Sequence, residues 1–204
     1  VTATLERRED ALENAPTTTS KLLSRDRSQD AISLGYGFVQ GPHSLQLHVR
    51  HDKDSEFGGK TTGSAAYGYA ITPSLRFTAS AGTAFRVPTL YQRFSEFGLA
   101  TLKPESSRNA ELGLQFTEGA TQAGIVVYSS RVRNLIGFDG TAKGCASSFG
   151  CYSSTARARY QGVTLSGSQR LGDVTLRSSF DFQDPRDLAT HNLLARRAQR
   201  HATL

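Results

Sequence analysis

The sequence predicts an all-β chain: an antiparallel up-and-down transmembrane β-barrel sheet of about ten strands. Three observations lead there. Apolar and polar residues alternate at period two through most of the 204 residues. Tight turns alternate strictly with long polar connections. The polar face of the strands is Gly, Ser, Thr, Ala and Arg, with few of the Lys and Glu of solvated surface strands. Period two is strand periodicity, since a helix repeats every three to four residues.

Taken in order, Ile32, Leu34, Tyr36 and Phe38 alternate with Ser33, Gly35 and Gly37, and Leu45, Leu47 and Val49 with Gln46, His48 and Arg50. Ala65, Tyr67, Tyr69 and Ile71 form the next apolar row, followed by Leu75, Phe77, Ala79 and Ala81. Leu112, Leu114 and Phe116 continue it, then Val163 and Leu165, then Val174, Leu176, Phe180 and Phe182. The stretch 124–138 alternates less cleanly and is expected to hold a bulge. Residues 196–204 read as the start of a further strand.

The connections separate into two kinds. Gly41-Pro42, Thr72-Pro73, Glu118-Gly119 and Gly172-Asp173 supply the backbone angles of tight turns. Residues 10–28, 52–62, 86–107, 139–155 and 184–194 read as long polar loops. In a meander, strict alternation puts every short turn at one end and every long loop at the other. Short periplasmic turns and long extracellular loops are the pattern of an outer-membrane barrel. A β-sandwich and a lipocalin-like barrel also alternate, with the apolar face inward. The small polar face argues against both. Phe38, Tyr69, Phe85, Phe116, Phe180 and Phe182 lie near predicted strand ends, where interfacial girdles would place them.

Bulk properties agree. The hydrophobic fraction is 37% and the mean hydropathy −0.39, with no apolar run long enough for a membrane helix. The net charge is +6, but Lys and Arg are dispersed and no nucleic-acid-binding motif occurs, so nucleic acid is not an expected partner. Arg on the water-facing side of a barrel accounts for the charge more plainly. Cys145 and Cys151 lie in a Gly/Ser-rich stretch without further zinc ligands. A local disulfide in an oxidising compartment fits, with two free thiols as the alternative. The chain begins at Val1 and contains no Met, so it is expected to be part of a longer product.

Residues 82–116 carry a family resemblance. Gly82-Thr83-Ala84-Phe85-Arg86-Val87-Pro88-Thr89-Leu90-Tyr91 resembles the G-T-A-F-R-x-P-x-L-Y stretch of TonB-dependent receptors. Leu102-Lys103-Pro104-Glu105-Ser106-Ser107-Arg108-Asn109-Ala110-Glu111-Leu112-Gly113 resembles their L-x-P-E-x-S-x-N-x-E-L-G stretch, in the right order and spacing. Weaker echoes are Arg50-His51-Asp52 with Phe57-Gly58, Asn134-Leu135-Ile136, Arg159 to Val163, and Leu193 to Ala198. The set is most similar to the vitamin B12 receptor subgroup.

The resemblance implies that residues 1–204 are a sector of a barrel of about 22 strands, with the plug domain, its TonB box and the last strands lying outside the chain. It implies an outer-membrane transport receptor of a Gram-negative bacterium, not an enzyme, with no cofactor. Its partners would be outer-membrane lipid, the receptor's own plug, the TonB complex through that plug, and cobalamin or a metal chelate such as a ferric siderophore at the extracellular loops. The expected structural, plug or loop contacts are Phe85, Arg86, Pro88, Leu90, Tyr91, Pro104, Glu105, Ser107, Asn109, Glu111 and Gly113.

Glu105 and Arg108 could pair with neighbours or with backbone amides where the strand restarts. Glu111 shares a face with Gly113 and Gln115 and points to the lumen, where it and Arg86 most simply solvate the interior. Loops 52–62, 86–107 and 139–155 would hold the ligand contacts. Asp52, Asp54 and Glu56 suggest calcium but lack a full ligand set, so a solvated acidic loop is preferred. His51-Asp52 is the only adjacent His/Asp pair that a barrel protease could use. A passive porin is the other rival, and it would lack the two stretches quoted.

Overall fold

The computed structural model describes residues 1–14 and 23–204. Ten strands follow one another: β1 (Thr2–Asn14), β2 (Leu23–Gln40), β3 (His43–Asp54), β4 (Gly58–Ala70), β5 (Leu75–Arg86), β6 (Glu105–Glu118), β7 (Thr121–Asp139), β8 (Cys151–Leu171), β9 (Val174–Asp187) and β10 (Arg200–Thr203). One short helix, α1 (Leu90–Phe94), lies between β5 and β6. Each strand pairs antiparallel with its sequence neighbours in a single sheet, and β1 and β10 form its two open edges. No helix among the described residues is long and apolar enough to cross a membrane, so any crossing is by strands.

Register settles the faces. Leu34 stands opposite Val49, Tyr36 opposite Leu47, Tyr67 opposite Ala79, Phe77 opposite Leu114, and Ile125 opposite both Leu114 and Leu165. The apolar rows therefore merge into one belt across the sheet, and most of its large side chains are exposed. An exposed apolar belt of this extent is a lipid-facing surface. The opposite face is polar and cross-linked: Arg76 donates to Ser44, Ser130 donates to Asn109 at 2.6 Å, and Thr164 and Tyr128 donate to Asp181. Glu111 lies on this inner face, in a groove of about 300 Å³ with Arg76 and Gln115.

The tight turns fall where the residues place them. Gly41, Gly119 and Gly172 have φ of 54°, 55° and 61°, a left-handed region that glycine enters without a Cβ clash. At the other end the expected loops shorten. The connection at 52–62 is only Ser55, Glu56 and Phe57, because β3 and β4 pair up to Asp54 and Gly58. Residues 10–14 and 23–28, 151–155 and 184–187 are likewise strand, while the rest of the first loop lies outside the described residues. Above the bilayer both faces meet water or loops, so the apolar alternation that marks a strand disappears while the hydrogen-bond ladder continues.

Two further expectations change. No residue is inserted in β7, since its register to β8 is the same on either side of Asn134, at Arg133–Arg157 and Leu135–Thr155, although the ladder skips Asn134 itself. Instead Asn134 turns left-handed at φ 55° and its amide donates to the Pro104 carbonyl at 3.1 Å. Phe180 and Phe182 sit at mid-belt opposite Leu165 and Val163, not in a girdle. Phe38, Tyr69, Phe77 and Phe116 do line up near the turn end.

Candidate functional site

The strands that rise above the apolar belt carry an ionic lattice on their inner face. Arg27 on β2 is its hub, only 4% exposed. It meets Asp10 of β1 at 2.7 Å and the carboxylate of Asp54 at the top of β3 at 3.5 Å, and it donates to the Pro88 carbonyl at 2.6 Å. Asp10 also takes Arg8 at 2.8 Å. Burial raises the Asp10 carboxyl, but the hydrogen bonds from Arg27 and Arg8 outweigh it and hold the group below the ordinary carboxylate range. One strand pair lower, Arg50 bridges Glu6 at 2.8 Å and Asp52 at 2.9 Å, and Gln29 donates to Asp52.

Asp52 and Asp54 are 6% and 3% exposed, so the expected solvated acidic loop is a buried ion-paired wall. Asp52 Oδ1 accepts from Arg50 and Gln29, and Asp54 Oδ1 from the Glu56 and Phe57 amides, while the buried Asp54 Oδ2 makes no hydrogen bond and meets only Arg27, at 3.5 Å. No group of three metal-ligating side chains occurs among the described residues. His51 and Asp52 are successive strand residues and point to opposite faces, His51 to Thr61 and Asp52 to Arg50.

Residues 87–104 fold back over this lattice. Thr89 caps α1 by accepting from the Gln92 amide while Gln92 accepts from the Thr89 amide, a reciprocal capping box. Arg93 then clamps the loop. It reaches Glu56 at 2.6 Å, donates twice to the Ala100 carbonyl, and lies over the rings of Phe57 and Phe94. Gly98 permits the tight return: a Cβ there would stand 2.6 Å from the Arg93 backbone. Pro88, Leu90 and Leu102 are buried beneath.

The far side of the same loop meets residues 140–150. The Glu96 and Phe97 carbonyls accept from the Ser147 and Tyr152 amides at 3.0 and 2.8 Å. Phe97, Phe138, Tyr152 and Tyr91 stack edge to face in sequence, at centroid distances of 5.7 to 6.2 Å. Cys145 and Cys151 are bonded, with Cα atoms 5.8 Å apart, and Cys151 is buried. The ring they close presents Phe149 to solvent at 79% exposure. Asp139 at its base is held below the ordinary carboxylate range by hydrogen bonds from the Thr141 hydroxyl and amide. Arg196, from the β9–β10 connection, lies over Phe138, and a cleft of about 400 Å³ separates that connection from the β7–β8 hairpin.

The motif residues thus divide. Arg86 and Glu105 join as a two-point ion pair at 2.7 and 2.8 Å, and Glu105 also accepts from the Ile136 amide at 2.6 Å. Pro88, Leu90, Tyr91 and Pro104 build the folded-back loop. Ser107, Asn109, Glu111 and Gly113 line the inner wall below it, and Phe85 is half-buried on the outer face opposite Ser106. Arg27, Arg93, Phe97, Phe138 and Arg196 complete the layer without a local signal. Their residue types are ordinary, and only the fold brings them together.

Residues 9–203 match the family model described as TonB dependent receptor-like, beta-barrel. Over 156 residues the chain is 30% identical to the vitamin B12 transporter BtuB of Vibrio cholerae serotype O1, covering 76% of this chain and 24% of that protein. It therefore spans about a quarter of the length of the curated relatives it matches. Among solved structures, the siderophore receptor PirA from Pseudomonas aeruginosa superposes with a TM-score of 0.75 at 18% identity, over 90% of this chain and 36% of that one. A mutant of the ferric enterobactin receptor PfeA from the same organism gives 0.77 at 16% identity, over 97% and 35%. At such identities the superpositions establish the fold alone. Taken with the match over residues 9–203, they place an unclosed ten-stranded sheet in a known barrel, and the chain belongs to the TonB-dependent receptor β-barrel family.

Proposed function

We propose that this chain is a sector of an outer-membrane active-transport receptor of a Gram-negative bacterium. Such a receptor binds a large scarce nutrient, cobalamin or a ferric siderophore, at its extracellular face and takes it up with TonB coupling. The observation that carries the reading is the loop layer: residues 87–104 seated over the inner rim and tied to the disulfide loop, with Tyr91 and Phe149 left exposed. A pre-ordered layer with exposed aromatics lowers the entropy lost when ligand binds. The relatives support a transport role by name, one as a vitamin B12 transporter and others as siderophore receptors. They are transporters and receptors, not enzymes.

In this reading the plug, its TonB box and the other strands belong to the rest of the receptor. Ser107, Asn109, Glu111 and Gly113 form wall that the plug would face, and the loop residues Arg86 to Glu105 hold the ligand-side layer in place. The test is equilibrium binding of cyanocobalamin and of a ferric catecholate siderophore to the full receptor, with uptake by cells that carry or lack TonB. Saturable binding of one ligand with TonB-dependent uptake is expected. Unsaturable solute flux independent of TonB would instead mark a passive channel.

A further inference from the structure

Just above the apolar belt, four neighbouring strands carry a row of arginines. Arg108 of β6 is the register partner of Arg131 of β7, Arg131 of Arg159 of β8, and Arg159 of Arg186 of β9. Arg133 and Arg157 face each other one step higher. All six share strand parity with the outward side chains Leu112, Val127, Leu165 and Phe182, whereas Asn109, Ser130 and Asp181 on the opposite parity bond to one another's strands inside. The row therefore faces lipid, not the lumen.

Like charges directly opposite across a ladder repel. Among the described residues the outer face offers them one carboxylate, Asp184, at 2.8 Å from Arg186 and 3.6 Å from Arg159. Arg108, Arg131, Arg133 and Arg157 make no ion pair among the described residues, and all four are exposed. The height is informative. From Phe116 near the turn end to Arg108, β6 climbs about 20 Å of membrane thickness, at about 3.4 Å per residue and about 40° of tilt. That is close to the whole apolar band, so the guanidiniums lie at headgroup level. There a lipid-facing charge costs about 0–1 kcal/mol, against about 2–4 at the midplane.

We propose that this row docks a phosphorylated lipid of the extracellular leaflet. Its phosphates would sit between the guanidiniums, which bind phosphate in a two-point fork. Its acyl chains would run down Leu112, Val127 and Phe182, which stand on the same face four residues below the row, past Ala110, Ser129, Gln161 and Asp184. A free phosphate would use only half of this surface. The proposal rests on the reading of these strands as membrane-spanning.

The experiment uses the full receptor in detergent and in phosphatidylcholine nanodiscs, with native mass spectrometry to count retained lipid. The probes are bis-phosphorylated lipid A, its dephosphorylated form, phosphatidylcholine and inorganic phosphate. Wild type is expected to retain the phosphorylated form alone through delipidation. The Arg131→Gln, Arg159→Gln double variant is expected to lose at least about tenfold in retention, as two charge-assisted contacts disappear. Equal retention of phosphorylated and dephosphorylated lipid by wild type would overturn the proposal without recourse to any variant. So would full displacement by inorganic phosphate, or a correctly folded double variant that binds as wild type does. Failure of the wild-type receptor to enter nanodiscs at all would instead remove the membrane-spanning reading.

Discussion

Arg86, the last residue of β5, and Glu105, the first of β6, close the neck of the folded-back loop through two parallel contacts of 2.7 and 2.8 Å. The Glu105 side chain is 12% exposed and also accepts from the Ile136 amide, so one carboxylate ties three chain segments. Glu105→Gln should weaken both contacts, and Glu105→Ala should leave the Ile136 amide unpaired at a cost of about 1–3 kcal/mol. Arg86 is half-exposed, so Arg86→Ala should cost less, about 1 kcal/mol or below. Limited proteolysis of residues 87–104 in the full receptor should accelerate most for Glu105→Ala and less for Arg86→Ala. Equal rates for both alanine variants would show that the Ile136 contact adds nothing to the Arg86–Glu105 pair.

Arg27 should be the costliest single residue of the inner lattice. Arg27→Ala leaves Asp10 with Arg8 alone and takes from Asp54 its guanidinium partner, and Asp54 has no exposed side-chain surface in which to find water. Breaking a buried pair on one side costs about 3–5 kcal/mol. The Pro88 carbonyl loses its donor as well. Hydrogen exchange should show β1, the top of β2 and residues 87–104 opening together. A variant that opens only at β1 would mean that the loop is held by Arg93 instead.

The low carboxyl of Asp10 gives the lattice an acid limit. Because the folded value is depressed, the stabilisation is fully present above the unfolded value of about 3.9 and is lost as pH falls below it, through the folded value. Protection of the β1–β2 amides, corrected for intrinsic exchange, should therefore drop below about pH 4. In Asp10→Asn that drop should shrink, with lower protection at neutral pH. An unchanged acid profile in Asp10→Asn would assign the limit to another carboxylate.

Replacing both Cys145 and Cys151 with Ser should loosen residues 140–150. Closing so small a ring restricts the open loop by about 2 kcal/mol in the chain-entropy account. The loop hands its order on to residues 87–104 through Ser147–Glu96 and Tyr152–Phe97. If Phe149 and Tyr91 contact ligand, affinity should fall several-fold, chiefly through faster dissociation. Unchanged affinity and uptake would remove this loop from the ligand site.

Much of the architecture was written locally. Period-two rows such as Leu112, Leu114 and Phe116 fixed strand identity and the membrane face, and Gly41, Gly119 and Gly172 fixed the turns, because both depend on residues adjacent in sequence. The G-T-A-F-R-x-P-x-L-Y and L-x-P-E-x-S-x-N-x-E-L-G stretches marked the loop that folds back over the inner rim. The tertiary structure alone decided what lies across strands. Polar residues 52–54 and 58–62 look the same whether looped or paired, so only the ladder revealed that Asp52 and Asp54 are buried beside Arg50 and Arg27. In the same way, arginines dispersed from 108 to 186 became one row, because register is a relation between residues far apart in sequence. Hydrogen-bond pairing sets that relation, and no window along a single strand contains it.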